Sequence, residues 1–305
     1  LGDATVLLCG RADRSDADVE VVTRLVRSGG GFICFACPWG WAQVHHKLVE
    51  AIPLNKVLTL AGVALVDGYA EPTQNGSFEA TTLPGAEFQA GRALDILEEV
   101  GKGKRKADDP LVKQAGATAL HVVAALPRND QLLRPRLESL LRSHAGGLTP
   151  APDKPLKETQ ALERVLLAMQ LREIESQQPT EVKGHPSAAA FPGEVPPTAP
   201  KVSRQVMIDT AVPKWHSTGL YAPPGGVITV SLPSEVPDAS SAGLRVRIGC
   251  HTDELWHQDE WRRMPRISGS WAIDSARVQI ASAFGGLIYI EVPDGAKPGK
   301  IQVGV

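Results

Sequence analysis

The sequence predicts an α+β multidomain chain: a flavodoxin-like α/β layer, a helical extension, then an all-β sandwich. Three observations carry this reading. Two short apolar runs, residues 5–10 and 32–36, flank an amphipathic stretch. From 84 to 177 apolar residues recur at helical spacing, and from 215 to 294 the period changes to two, punctuated by Gly and Pro. The expected divisions are 1–100 (α/β), 101–177 (helical), 178–204 (a Pro-rich linker) and 205–305 (β-sandwich).

Thr5-Val6-Leu7-Leu8-Cys9-Gly10 reads as a buried strand. Residues 16–27 follow with Val19, Val22, Leu25 and Val26 on one face, and Ser28-Gly29-Gly30-Gly31 stops that helix. Phe32-Ile33-Cys34-Phe35-Ala36 is the second strand, so the unit is β-α-β with a right-handed crossover. Lys56-Val57-Leu58-Thr59-Leu60, running on to Val66, is expected to add another strand. Further on, Phe88, Leu94, Leu97 and Val100 share a face. So do Leu120, Val123 and Ala124, then Leu133, Leu137, Leu140 and Leu141, and last Leu162, Val165, Leu166, Met169 and Ile174. Stripes of this kind are core. Seven prolines between 179 and 213 block helix and ladder alike, which predicts a semi-extended linker. Beyond it, Ile228, Val230 and Leu232 alternate with polar positions, as do Leu244, Val246 and Ile248.

Composition narrows the function. The chain has 305 residues, 43% of them hydrophobic, and a formal net charge of −2. A nucleic-acid binder concentrates Lys and Arg, so that class is disfavoured. No apolar run approaches the roughly 18 residues that cross a bilayer. Four cysteines, unevenly placed, do not make a disulfide scaffold and favour a reducing compartment. Leu1-Gly2-Asp3 leads straight into apolar sequence, and Lys300-Ile301-Gln302-Val303-Gly304-Val305 is strand-like, so the expectation is a fragment cut at both ends.

Three rare words occur in order: Trp215-His216-Ser217-Thr218-Gly219-Leu220-Tyr221-Ala222-Pro223, then Arg247-Ile248-Gly249-Cys250-His251-Thr252-Asp253, then Phe284-Gly285-Gly286-Leu287-Ile288-Tyr289-Ile290. They resemble the front part of an enhancin/mucinase-type peptidase domain, in the version carried by vertebrate TRP-melastatin channel-associated factors. Gly29-Gly30-Gly31 with Pro38-Trp39-Gly40-Trp41 resembles the glutamine-amidotransferase-like region upstream in the same family. The resemblance implies a non-catalytic adaptor at the cytoplasmic face of the plasma membrane, peripheral to it. That adaptor would bind the cytosolic domains of the cold- and menthol-sensing cation channel and regulate its trafficking and gating. The alternative it implies is the glycan-recognising front of an enhancin/mucin-type zinc metallopeptidase.

Neither catalysis nor a cofactor is expected from the residues themselves. Cys37 follows a strand, with His45 and His46 nearby, but a nucleophile elbow needs a backbone N–H just after the nucleophile, and Pro38 has none. Cys34 and Cys37 supply only half of a structural zinc site. His251 and His257, with Asp253, Glu254 and Glu260, are the densest set of metal-type ligands, yet the His residues are six apart and no His-Glu-x-x-His occurs. The candidate partner- or glycan-contact residues are Trp215, Tyr221, Trp256, Trp261, Arg262 and Arg263, beside Trp271 and Arg266. Core filling is the competing reading of the aromatics. Lys102-Gly103-Lys104-Arg105-Lys106 is a basic loop tip suited to solvent or to anionic lipid.

Overall fold

Strand β1 (Val6–Cys9) pairs in parallel with β2 (Gly31–Cys34), Val6 opposite Gly31 and Cys9 opposite Cys34, and helix α1 (Asp16–Arg27) connects them. The computed structural model describes residues 5–10, 13–45, 49–59, 62–66, 76, 85–144, 148–233, 243–296 and 299–305. Helix α1 begins where expected because Ser15 and Asp18 form a capping box, each side chain satisfying the other's backbone N–H. It ends at Ser28, after which Gly29 turns the chain at φ +89°.

The third strand expected at 56–60 is a correction. Helix α2 (Pro38–His45) follows β2, and Val57 and Leu58 then lie in a short helix, α3 (Asn55–Leu58). Asn55 is buried and reads Leu65 as a backbone partner would, donating to its carbonyl at 2.9 Å and accepting from its N–H at 2.7 Å. Leu60 lies outside the described residues. Five residues, apolar at 57, 58 and 60, are too few for a period to separate strand from helix. Among the described residues the parallel sheet has two strands, which does not confirm the flavodoxin-like layer.

Helices α4 (Ala90–Gly101), α5 (Pro110–Ala125), α6 (Arg134–Ser143) and α7 (Ala161–Ser176) form the helical part. Leu94, Leu97, Val123, Leu137, Leu162, Val165, Leu166 and Met169 are buried as their spacing requires. Phe88 is exposed, because it sits in a 3-10 turn (Ala86–Phe88) before α4 rather than on its apolar face. No helix of the described residues is long and apolar enough to cross a membrane.

Two compact units result. One comprises residues 1–146 with 159–172, the other 147–158 with 173–305. In the second, the two-residue strand β3 (Leu156–Lys157) pairs with β8 (Glu260–Trp261). The remaining strands are β4 (Gln205–Asp209), β5 (Lys214–Ala222), β6 (Val227–Ser231), β7 (Arg245–Ile248), β9 (Gly269–Ala272), β10 (Arg277–Ala281), β11 (Gly286–Val292) and β12 (Lys300–Gly304). They form two antiparallel sheets, β10-β6-β12-β4 and β5-β11-β7-β9. Ile208, Val230, Ile280, Ile301 and Val303 from the first bury with Val246, Ile248, Ile288, Ile290 and Val292 from the second, which makes the expected sandwich core.

At the start of β11, Gly286 holds φ +136°, and a Cβ there would lie 2.9 Å from the Cα and N of Gly249. Gly286→Ala is therefore expected to destabilise the second unit by about 1–3 kcal/mol. Thermal unfolding of the variant beside the parent measures this.

Residues 178–204, expected to be a linker, are instead fixed within the second unit. They are irregular, as proline requires, yet Val182, His185, Ser187 and Ala188 are buried. The His185 N–H donates to the Ala283 carbonyl at 2.7 Å, and Arg204 and Val305 exchange backbone hydrogen bonds at 2.8 and 2.9 Å. Small residues between the prolines let this strap lie close: a Cβ on Gly184 would meet the Pro224 carbonyl at 3.1 Å.

Candidate functional site

Sheet β5-β11-β7-β9 buries one face and leaves the other outward. Register sets Trp215 opposite Glu291 and Glu291 opposite Arg245; Ser217, Tyr289, Arg247 and Ser270 lie side by side in the next row. A bulge in β5 keeps the pattern: Leu287 pairs with Tyr221 and Tyr289 with Ser217, while Thr218 turns in and donates to the Ile288 carbonyl at 2.8 Å. The outward row is thus aromatic, aliphatic and basic. Trp215 remains 38% exposed, Tyr221 39% and Leu287 40%.

Arg247 fastens this row. Its guanidinium lies 4.3 Å from the Trp215 ring centroid, and Tyr289 meets the same indole at 5.4 Å. It also donates to the Gly249 carbonyl at 3.0 Å and the His251 carbonyl at 2.8 Å, and faces Glu291 at 3.4 Å. Arg245 donates to Ser270 Oγ at 2.8 Å, and Ser270 in turn holds Glu291 through a short hydrogen bond. The Trp215 side chain is therefore presented rigidly, which lowers the entropy lost when a partner covers it.

The loop after β7 continues the surface. Arg263 pairs with Asp253 at 2.5 Å, and Asp253 faces His251 at 3.5 Å. Burial works to raise the Asp253 carboxyl, yet the Arg263 charge, its hydrogen bonds and His251 outweigh it and hold the group below the usual carboxylate range. His251 meets Phe191 of the strap edge-on at 5.0 Å, and Arg263 lies 5.8 Å from the same ring. Trp256 donates to Glu254 at 2.8 Å, Arg266 bridges Glu175 at 2.5 Å and Glu254 at 3.8 Å, and Arg262 faces Glu260 at 3.3 Å. These acids are taken up by arginine and indole partners. His257 lies apart in an exposed turn, and no three metal-type side chains come together among the described residues.

Of the contact candidates, Trp215, Tyr221, Trp256, Arg262 and Arg263 reach the surface. Trp261 does not. It is fully buried on β8, opposite Leu156, and packs at 5.4 Å and 89° against Trp256. A two-residue strand can turn its large side chain wholly inward, and no alternation in so short a run announces that. Trp261 supports Trp256 from beneath. Sequence reasoning missed Arg247, Arg245, Tyr289 and Phe191. The first two were visible in principle, because Arg245 and Arg247 alternate with Val246 and Ile248 and must share the outer face.

The strap is anchored by a buried histidine. His185 Nδ1 accepts from the Ser187 backbone N–H at 3.1 Å and meets Ser187 Oγ at 2.7 Å, while the ring packs 5.4 Å from Phe284. Burial pushes His185 below the ordinary imidazole range. An unfolded chain protonates this group near 6.5, whereas the folded one resists, so stability is full above that pH. It is expected to fall by up to about 1.4 kcal/mol per pH unit as acidification proceeds below 6.5 toward the folded value. Denaturant titrations at pH 7.5 and 5.5 should show this slope, and His185→Asn, which keeps an acceptor for Ser187, should flatten it.

In the first unit Cys37 precedes α2 and is exposed, while His45 closes the same helix, stacked on Trp41 at 4.7 Å and 4.0 Å from Asp13. Eight residues of helical rise separate their Cα atoms by roughly 12 Å, which does not set thiol and imidazole side by side as a nucleophile and base require. His46 lies outside the described residues. The basic tip is partly spent on ion pairs, Lys102 with Glu98 at 3.3 Å and Arg105 with Glu99 and Asp109 at 2.8 and 2.7 Å.

Residues 197–305 match the N-terminal domain of M60-like peptidases. Along 99% of its length the chain is 26% identical to mouse TRPM8 channel-associated factor 3, and along 95% it is 28% identical to human TRPM8 channel-associated factor 2. It spans about a third (32%) of each relative's own length. Among solved structures, IMPa metallopeptidase in complex with T-antigen aligns with 98% of this chain and 36% of its own, at 12% identity and a TM-score of 0.35, too low to argue from.

Proposed function

We propose that this chain, a relative of the TRPM8 channel-associated factors along nearly its whole length, is part of a non-catalytic adaptor. The adaptor binds the cytosolic domains of a TRP-melastatin cation channel at the inner face of the plasma membrane. Through that contact it regulates the channel's delivery to the membrane and its gating. The observation that carries the reading is that similarity to these factors extends across 95–99% of the chain rather than the peptidase-like third alone. The outer row of Trp215, Arg247, Tyr289, Tyr221 and Leu287 supports it. An exposed indole held by a guanidinium and packed against Tyr289, on a face that also exposes Tyr221 and Leu287, has the composition of a protein-interface anchor.

A second reading draws on the M60-like match: a glycan-recognising front of a peptidase whose zinc-binding part is another segment. The stacking of Arg247 on Trp215 takes up one of the two ring faces on which a sugar could stack. Pull-down of the channel's cytosolic domains by the full chain separates the two. Retention of the channel domains supports the adaptor. No retention, together with binding to a mucin-type glycan array, supports the second reading.

A further inference from the structure

The parallel pairing of β1 with β2 places two cysteines as direct register partners, Cys9 opposite Cys34. Neighbouring strands run about 4.8 Å apart, so the two Cα atoms fall inside the roughly 4.4–6.8 Å window a disulfide spans. Both side chains lie on the inward face, Cys9 within the apolar cluster of Trp41, Ile52 and Leu54 and Cys34 packed against it. The outward face of the same strands carries Val6, Leu8 and Ile33. The two thiols thus share one side of one ladder step.

A cation is aimed at this pair. Arg14 donates to Cys9 Sγ twice, from Nη2 at 3.0 Å and from Nε at 3.3 Å. The Arg14 guanidinium itself lies near the surface. Burial raises the Cys34 thiol, and the proximity of Cys9 raises it further.

From this geometry we infer that Cys9 and Cys34 form a dithiol oxidation site, closed to an intramolecular disulfide by a hydroperoxide, with Arg14 as its positioning residue. The Cys9 sulfur attacks one peroxide oxygen and the O–O bond breaks. The other oxygen leaves as hydroxide or alkoxide and is protonated, and Cys9 becomes a sulfenic acid. The Cys34 sulfur then displaces that hydroxyl as water, giving up its own proton, and the S–S bond forms. In sum two thiols lose two electrons and two protons, and hydrogen peroxide becomes two waters. In a reducing compartment such a bond is transient, which is how cytosolic disulfides act as sensors.

The test is limited hydrogen peroxide on the full chain, followed by alkylation of remaining thiols and non-reducing peptide mapping. The expected result is a Cys9–Cys34 linked peptide that appears before Cys37 or Cys250 is modified, although those two are the exposed thiols. Arg14→Gln, a surface change that spares the core, should slow its appearance about tenfold, as loss of a cation beside a reacting thiol does. Cys34→Ser should leave Cys9 as a dimedone-reactive sulfenic acid. A Cys34–Cys37 link, prior oxidation of Cys37 or Cys250 with Cys9 still alkylatable, or an unchanged rate in Arg14→Gln would each overturn the inference.

Discussion

Trp261→Ala is expected to destabilise the second unit by about 3–5 kcal/mol, the range for emptying a fully buried indole. The side chain is 0% exposed on a two-residue strand, so neighbouring backbone has little freedom to collapse into the space. The loss also removes the surface against which Trp256 packs edge-on, and it frees the loop carrying Arg262, Arg263 and Arg266. Trp261→Phe should recover part of the loss by refilling most of the volume. Chemical denaturation followed by tryptophan fluorescence measures both variants. A cost below about 1 kcal/mol for alanine would mean that the indole is not a core group.

Trp215→Ala has the opposite profile. Its side chain reaches solvent, and its ring is held by Arg247 and Tyr289 rather than by the core. Truncation should weaken binding to the channel's cytosolic domains by about 2 kcal/mol, roughly thirtyfold, which is hot-spot size. Unfolding should shift by less than about 1 kcal/mol, since exposed positions away from special features rarely cost more. Arg247→Ala should weaken binding similarly and cost more stability, because it also releases the Gly249 and His251 carbonyls and leaves Glu291 with less compensation. Arg262→Ala is the control: it is exposed, its visible partner is Glu260, and it lies outside the Trp215 row. A variant pair in which Arg262 matters and Trp215 does not would move the interface to the loop.

The sequence showed elements wherever a period had room to repeat. Helix α1 carried both a stripe and a glycine stop, the α7 stripe ran through more than three turns, and two runs of the sandwich, 228–232 and 244–248, alternated over five residues. The run 56–60 had neither length nor period, and a side chain to backbone closure by Asn55 decided it. Prolines between 179 and 213 correctly ruled out helix and ladder but said nothing about whether the strap is held. That depended on His185, Phe191 and Arg204 finding partners distant in sequence. The candidate surface was half legible. Trp215 and Tyr221 stood out as aromatics, whereas Arg247 gains its role only from a register that brings three strands together. Trp261 looked the same as Trp256 on paper, and burial separated them.

The most direct test of the central claim is equilibrium binding of the full chain to purified TRPM8 cytosolic domains, compared with Trp215→Ala at matched folding. The adaptor reading predicts saturable binding by the parent chain, weakened roughly thirtyfold by the substitution. Absence of saturable binding by the folded parent would contradict it.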